Sequence, residues 1–194
     1  LADTWHRIDT CVREERGEVD VPTHILSGDG KLIYLSLGSL GSADTGLMQR
    51  LCDALADTPH RYIVSKGPQH DEIELRANQW GAEYLPQPIL MPLCDLVITH
   101  GGNNTTTECL HHGKPMVLLP LFWDQYDNAQ RMHDVGLGRR LPTYDWTPAD
   151  LHNAIEEMLA DADAHARLAA ISKRIQADPG RVRAADLIER AARG

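Results

Sequence analysis

Residues 95–120 read DLVITHGGNNTTTECLHHGKPMVLLP: an apolar run, then His100, Gly101, Gly102, Asn103, Asn104 and three Thr from Thr105, then a second apolar run. Such a stretch is a poor core and a good anion holder. Glycines let backbone approach a ligand closely. Asn and Thr at a helix start offer side-chain and backbone hydrogen bonds, and the helix dipole favours negative charge there. His100 adds a donor whose pKa lies near neutrality. Two further segments carry comparable chemistry. LGSLGS (37–42) offers Gly38, Ser39 and Gly41 after another apolar run. PLFWDQYDN (120–128) offers Asp124 and Gln125. A carboxylate accepts while an amide both donates and accepts, a pairing suited to neighbouring sugar hydroxyls. Each segment also has a plainer reading, because glycine turns are common and an Asp before a helix is an ordinary cap.

The hydrophobic pattern shows what must position these residues. KLIYLSL (31–37), RYIVS (61–65), DLVIT (95–99) and PMVLLP (115–120) read as buried strands. Helical spacing follows in GLMQRLCDALADT (46–58), in NNTTTECLHHG with an Asn or Thr cap and Gly113 as stop, and in QYDNAQRMHDVG with Gly136 as stop. TPADLHNAIEEMLAD opens with Thr147 as cap, Pro148 behind it and Asp150 completing a capping box. Two last helices, ADAHARLAAISKRIQ and RVRAADLIERAAR, are separated by DPG. EIELRANQWG reads as a short helix or turn, and the three prolines of AEYLPQPILMPL exclude a central strand. Strand and helix alternation predicts an α/β, Rossmann-like parallel sheet with helices on both faces. Ligands of such sheets sit at the carboxyl ends of the strands, where all three loops fall. Residues 1–30 read as a linker or N-terminal arm and 31–194 as the ligand-binding domain.

Composition narrows the class. With 42 % hydrophobic residues the 194-residue chain can bury a sizeable core. A net charge of -9 argues against nucleic acid as partner. Cys11, Cys52, Cys94 and Cys109 form no C-x-x-C pair, so buried reduced thiols are expected rather than zinc. No transmembrane segment or signal peptide is legible, and a cytoplasmic location is expected. Asp161-x-Asp163 reads as exposed helix carboxylates, and His111-His112 as a helix-end pair. No convincing nucleophile–base pair is legible, Ser36 or Ser39 with His100 being one in principle alone.

The three loops together resemble the carboxy-terminal lobe of family 1 glycosyltransferases of the GT-B fold, which include UDP-glucuronosyltransferases, plant secondary-product enzymes and bacterial macrolide glycosyltransferases. The resemblance runs from about Lys31 to the end. The family pattern W-x-P-Q appears as Tyr84-Leu85-Pro86-Gln87, H-x-G-x-N-[ST]-x-x-E as His100 to Glu108, G-x-P-x-x-x-x-P as Gly113 to Pro120, and [DE]-Q as Asp124-Gln125, ungapped from His100 onward. The resemblance implies a donor site of Ser39, Tyr84, Gln87, His100, Gly102, Asn103, Asn104, Thr105, Glu108, Asp124 and Gln125. In it His100, Asn104, Thr105 and Ser39 meet the diphosphate, Glu108 the ribose hydroxyls, Tyr84 the uracil, and Asp124 and Gln125 the transferred sugar. Tyr84 replaces the usual Trp, Asn103 stands where plant members carry Trp, Leu93 stands where a second His is frequent, and the short Gln87–His100 interval looks bacterial.

The resemblance further implies the donor-binding half of an inverting glycosyltransferase that moves a hexose to a small lipophilic acceptor. UDP-glucose is the favoured donor and a dTDP-sugar the second choice. No cofactor or metal is expected, since helix termini neutralise the leaving diphosphate. The catalytic base is expected in an acceptor-binding lobe that this chain lacks, so the chain alone is expected to be inactive. The final helix is then expected to expose an apolar strip. The competing readings are a non-catalytic nucleotide-sugar subunit working with a separate acceptor-binding chain, and a GT-B epimerase acting on UDP-N-acetylglucosamine, against which Asp124-Gln125 argues.

Overall fold

A computed structural model describes residues 5, 6, 8, 11–13, 15–177 and 180–193. Its centre is one sheet of six parallel strands: β1 (Leu32–Ser36), β2 (Arg61–Ser65), β3 (Gln79–Ala82), β4 (Leu96–Thr99), β5 (Met116–Leu118) and β6 (Gly138–Arg140), in the order β3-β2-β1-β4-β5-β6. The chain therefore runs outward from β1 to β3, returns to β4 and runs outward again on the other side. Loops leaving β1 and β4 diverge to opposite faces, and a crevice opens between them. Register makes this concrete: Ser36, the last residue of β1, lies opposite Thr99, the last of β4.

β1 is buried along its whole length, as a central strand covered on both faces must be. Its alternating side chains serve two cores. Ile33 and Leu35 pack with Met48, Leu51 and Leu55 of α3 (Thr45–Leu55) and with Leu151 and Ile155 of α7 (Pro148–Ala160). Leu32 and Tyr34 pack on the other face with Ile25 of α1 (Thr23–Leu26), Cys109 of α5 (Asn103–His112) and Ala129 of α6 (Gln125–Asp134). Capping follows the sequence at α7, where Thr147 and Asp150 form the reciprocal box, and at Gly113, which ends α5 with φ 65°.

Several elements depart from the sequence reading. EIELRANQWG contains β3 rather than a helix, and its buried Gln79 donates its amide to the Cys52 carbonyl. A polar residue at the head of a four-residue edge strand hides the strand signal. β6, the tripeptide GRR, was likewise masked by charge: Arg139 pairs with Glu157 and Arg140 donates to Gln130. The Gly38–Gly41 loop closes into a short helix, α2. Within the expected arm, α1 buries Ile25 against the sheet, and Arg61 donates to the Ile25 carbonyl. Cys11 is exposed, unlike the three buried thiols. Of the DPG break between α8 (Ala162–Ala177) and α9 (Gly180–Arg193), Asp178 and Pro179 lie outside the described residues. On α9, Val182 and Ile188 are exposed.

The end of α5 makes the fold acid-sensitive. Burial, with help from His111 and Lys114, pushes the His112 pKa down to about 4, from an ordinary value of about 6.5. Between those values the unfolded chain takes up a proton that the folded chain refuses. Stability is thus full above pH ~6.5 and falls as pH is lowered toward the folded value. The melting temperature is expected to drop across that window, by about 2–4 °C for each kcal/mol lost in a chain of this size. His112→Gln should flatten the slope. Circular dichroism melts at three pH values check this.

Candidate functional site

A cleft of about 970 Å³ opens at the carboxyl ends of β1, β2 and β4. Six of the eleven candidate residues form its wall: Ser39, Tyr84, Gln87, Asn103, Asn104 and Glu108. The start of α5 brings backbone amides to this wall. Its first intrahelical bond runs from the Thr106 amide to the Gly102 carbonyl, so the amides of Asn103, Asn104 and Thr105 precede the helical ladder. The capping residue is Gly102, with no side-chain cap, and not the Asn or Thr expected. Asn103 and Asn104 are therefore exposed at the cleft rather than spent on the helix.

His100 sits behind this wall, half-buried between the loops that follow β1 and β4. A Cβ on Gly38 would lie 2.9 Å from its ring and one on Gly102 would lie 2.4 Å from Nε2. The two glycines are the walls of an imidazole slot. Nδ1 lies 3.2 Å from the Thr99 hydroxyl. Burial holds the His100 pKa below its ordinary value, against the opposing pull of Asp124 and a backbone hydrogen bond to Ser36. The imidazole is thus neutral at pH 7.

Glu108 and Thr105 are tied together by Gln87. Its Nε2 donates to the Glu108 carboxylate and, at 3.2 Å, to the Thr105 hydroxyl. Thr105 is buried beneath that amide, while Glu108 is part-buried and lines the cleft. Gln87 acts as a positioning residue, holding the acid from one side. Tyr84 is 56 % exposed at the cleft mouth, a free aromatic face.

Asp124 and Gln125 lie on the neighbouring loop, before α6. Asp124 is exposed, receives a 3.0 Å bond from Asn128 and is close enough to His100 to influence its proton. Gln125 is buried, and its amide oxygen accepts from the Leu121 and Phe122 backbone at 2.9 and 3.1 Å. Only its amide nitrogen has no partner among the described residues. Asn128, which sequence reasoning passed over, also donates to the Gly101 carbonyl at 3.0 Å and so couples this loop to the His100 loop.

Sequence reasoning also missed Tyr34, Ser65, Gly67 and Thr107 in the cleft lining. Ser65 and Gly67 follow from the strand-end rule applied to β2. Tyr34 had no signal, being one residue of a buried apolar strand. Arg13, from the segment before α1, is the one cation among the described lining residues. Asp161 is occupied as a helix cap, accepting from the Ala164 amide at 2.8 Å. Among the described residues no cluster of three or more His, Cys, Asp or Glu could hold a metal, and no helix is long and apolar enough to cross a membrane.

This geometry can be set beside known proteins. A family model for UDP-glucoronosyl and UDP-glucosyl transferase matches residues 11–179. NDP-glycosyltransferase YjiC of Bacillus subtilis (strain 168) is 30 % identical over 164 residues, covering 83 % of this chain and 42 % of that protein. UDP-glucuronosyltransferase 2B28 of Homo sapiens is 34 % identical over 139 residues, 70 % of this chain and 26 % of its own length. Among solved structures, the glycotransferase of kitacinnamycin superposes with a TM-score of 0.83 at 29 % identity, covering 95 % of this chain and 48 % of that one. Glycosyltransferase VinC, solved in complex with dTDP, superposes with a TM-score of 0.72 over 92 % of this chain and 46 % of its own, and at 23 % identity shows the fold alone. The chain spans less than half the length of each of these proteins.

Proposed function

The chain belongs to the UDP-glucoronosyl and UDP-glucosyl transferase family, and from that premise we propose that it forms the donor-binding half of an inverting hexosyltransferase. The observation that carries the reading is the cleft at the β1–β4 crossover, where the start of α5 faces Ser39 and a braced Glu108 stands one helical turn away. The diphosphate lies over the first amides of α5, with Asn103, Asn104 and Ser39 around it and His100 contributing from its slot. Glu108 takes the ribose hydroxyls and Tyr84 the base. Asp124 and the Gln125 amide nitrogen take the hydroxyls of the sugar. The matched family of UDP-glucoronosyl and UDP-glucosyl transferases, and the NDP-glycosyltransferase that is 30 % identical, support a nucleotide sugar as the ligand class.

In the complete reaction an acceptor hydroxyl attacks the anomeric carbon while the bond to the diphosphate breaks, inverting that carbon. The proton leaves to a base outside this chain, on the acceptor-binding lobe. What this chain supplies is stabilisation of the departing charge: oriented peptide dipoles that need no reorganisation as the charge develops. The acceptor is small and lipophilic, the donor is UDP-glucose ahead of a dTDP-sugar, and no metal takes part.

Isothermal titration with UDP, UDP-glucose and dTDP tests the reading. UDP is expected to bind at micromolar to millimolar Kd, unchanged by EDTA, while the isolated chain turns over no donor. A chain that binds none of the three nucleotides is not a donor half.

A further inference from the structure

Trp123 is the one non-glycine residue with positive φ among the described residues, at 55°. For a bulky side chain this is an uncommon, strained backbone, and it persists only where the surroundings over-determine it. Here they do. Gln125 Oε1 accepts from both the Leu121 and Phe122 amides, the Gln125 amide returns a bond to the Phe122 carbonyl, and the Tyr126 hydroxyl donates to the Leu121 carbonyl. Three side-chain bonds and one backbone bond thus fix a turn whose product is an indole 76 % exposed to solvent. Among the described residues its one ring contact is Phe122, edge-on with centroids 4.9 Å apart. With so much of it in solvent the indole adds little packing, and glycine would suit the backbone better.

The turn lies beside the sugar-reading residues. Trp123 precedes Asp124 directly, and the loop packs on the Gly38–Gly41 turn, where a Cβ on Gly41 would lie 2.5 Å from Leu121. A hexose held through its hydroxyls by Asp124 and Gln125 keeps one apolar face of C–H groups uncovered, and an indole face is its natural cover. We propose that Trp123 is a stacking platform for the transferred hexose, a contact that adds affinity for the sugar-bearing donor and none for the nucleotide alone.

This inference rests on the donor-site reading above, and the experiment separates the two. The chain and its Trp123→Gly and Trp123→Phe variants are titrated with UDP and with UDP-glucose, and their melting temperatures are recorded. The wild type should bind UDP-glucose more tightly than UDP. Trp123→Gly should bind UDP unchanged, lose about five- to tenfold in UDP-glucose affinity, and melt no lower than the wild type because the strain is relieved. Trp123→Phe should keep most of the sugar preference. Equal UDP-glucose affinity in wild type and Trp123→Gly, or a wild type that does not distinguish UDP-glucose from UDP, overturns the platform and leaves nucleotide binding standing. A wild type that binds neither removes the donor site and the platform with it.

Discussion

Gly102→Ala is expected to lower UDP affinity at least tenfold while leaving the chain folded. The residue has φ -61° and ψ 146°, an ordinary extended backbone that alanine adopts without cost. The whole effect must therefore come from the added methyl, which would lie 2.4 Å from His100 Nε2. On the other side the ring meets Gly38, where a Cβ would stand at 2.9 Å, so the imidazole has nowhere to retreat but out of its slot. Overpacking of this kind costs about 1–3 kcal/mol of stability. The larger consequence is for the ligand, because the His100 ring and the first amides of α5 share one loop. A double-mutant cycle separates sterics from chemistry. In a His100→Ala background the slot is empty, and Gly102→Ala should change neither stability nor UDP affinity further. If Gly102→Ala alone binds UDP as the wild type does, the position of His100 is irrelevant to the anion.

That slot shows what a sequence gives and withholds. His100, Gly102 and Asn104 were legible because a strand, a glycine turn and a polar helix start together suggest an anion site, whereas Glu108 was named only through the family resemblance. The central strands were legible because burial on both faces leaves nearly unbroken apolar runs, as in LIYLS and LVIT. β3 and β6 were not, because edge strands of three or four residues can carry Gln79, Arg139 and Arg140 when those side chains find partners elsewhere in the fold. The roles of glycines were half legible. That Gly38 and Gly102 matter could be read, but that each makes room for the same histidine depends on strands β1 and β4 being neighbours, 60 or so residues apart in the chain. Gln87 and Asn128 follow the same logic. Each reaches across the fold to hold a residue whose own type announced it, Gln87 to Glu108 and Asn128 to the backbone beside His100. Local pattern finds the groups that could touch a ligand; only tertiary geometry finds those that aim them.

Glu108→Ala should then cost more for a ribonucleotide than for a deoxyribonucleotide. The carboxylate is held by Gln87 through one oxygen, and the residue lines the cleft. A hydrogen bond to a charged group is worth about 1.5–3 kcal/mol, so losing the contact should weaken UDP binding by about 10- to 150-fold. dTDP lacks the 2′-hydroxyl and has less to lose, so its Kd should rise by a smaller factor, narrowing the preference between the two. Gln87→Ala removes the brace but not the acid. It frees Glu108 to rotate, leaves the buried Thr105 hydroxyl without its donor, and is expected to cost about three- to tenfold. Gln87→Glu is the sharper variant, since it sets a second carboxylate against the first and should be worse than alanine. Titration of the four proteins with UDP and dTDP checks the ordering. Equal losses for UDP and dTDP in Glu108→Ala would place the carboxylate away from the 2′-hydroxyl. An unaffected Gln87→Glu would mean that the acid does not need to be aimed, and the brace between α5 and the Pro86-Gln87 turn would then be a feature of the fold and not of the site.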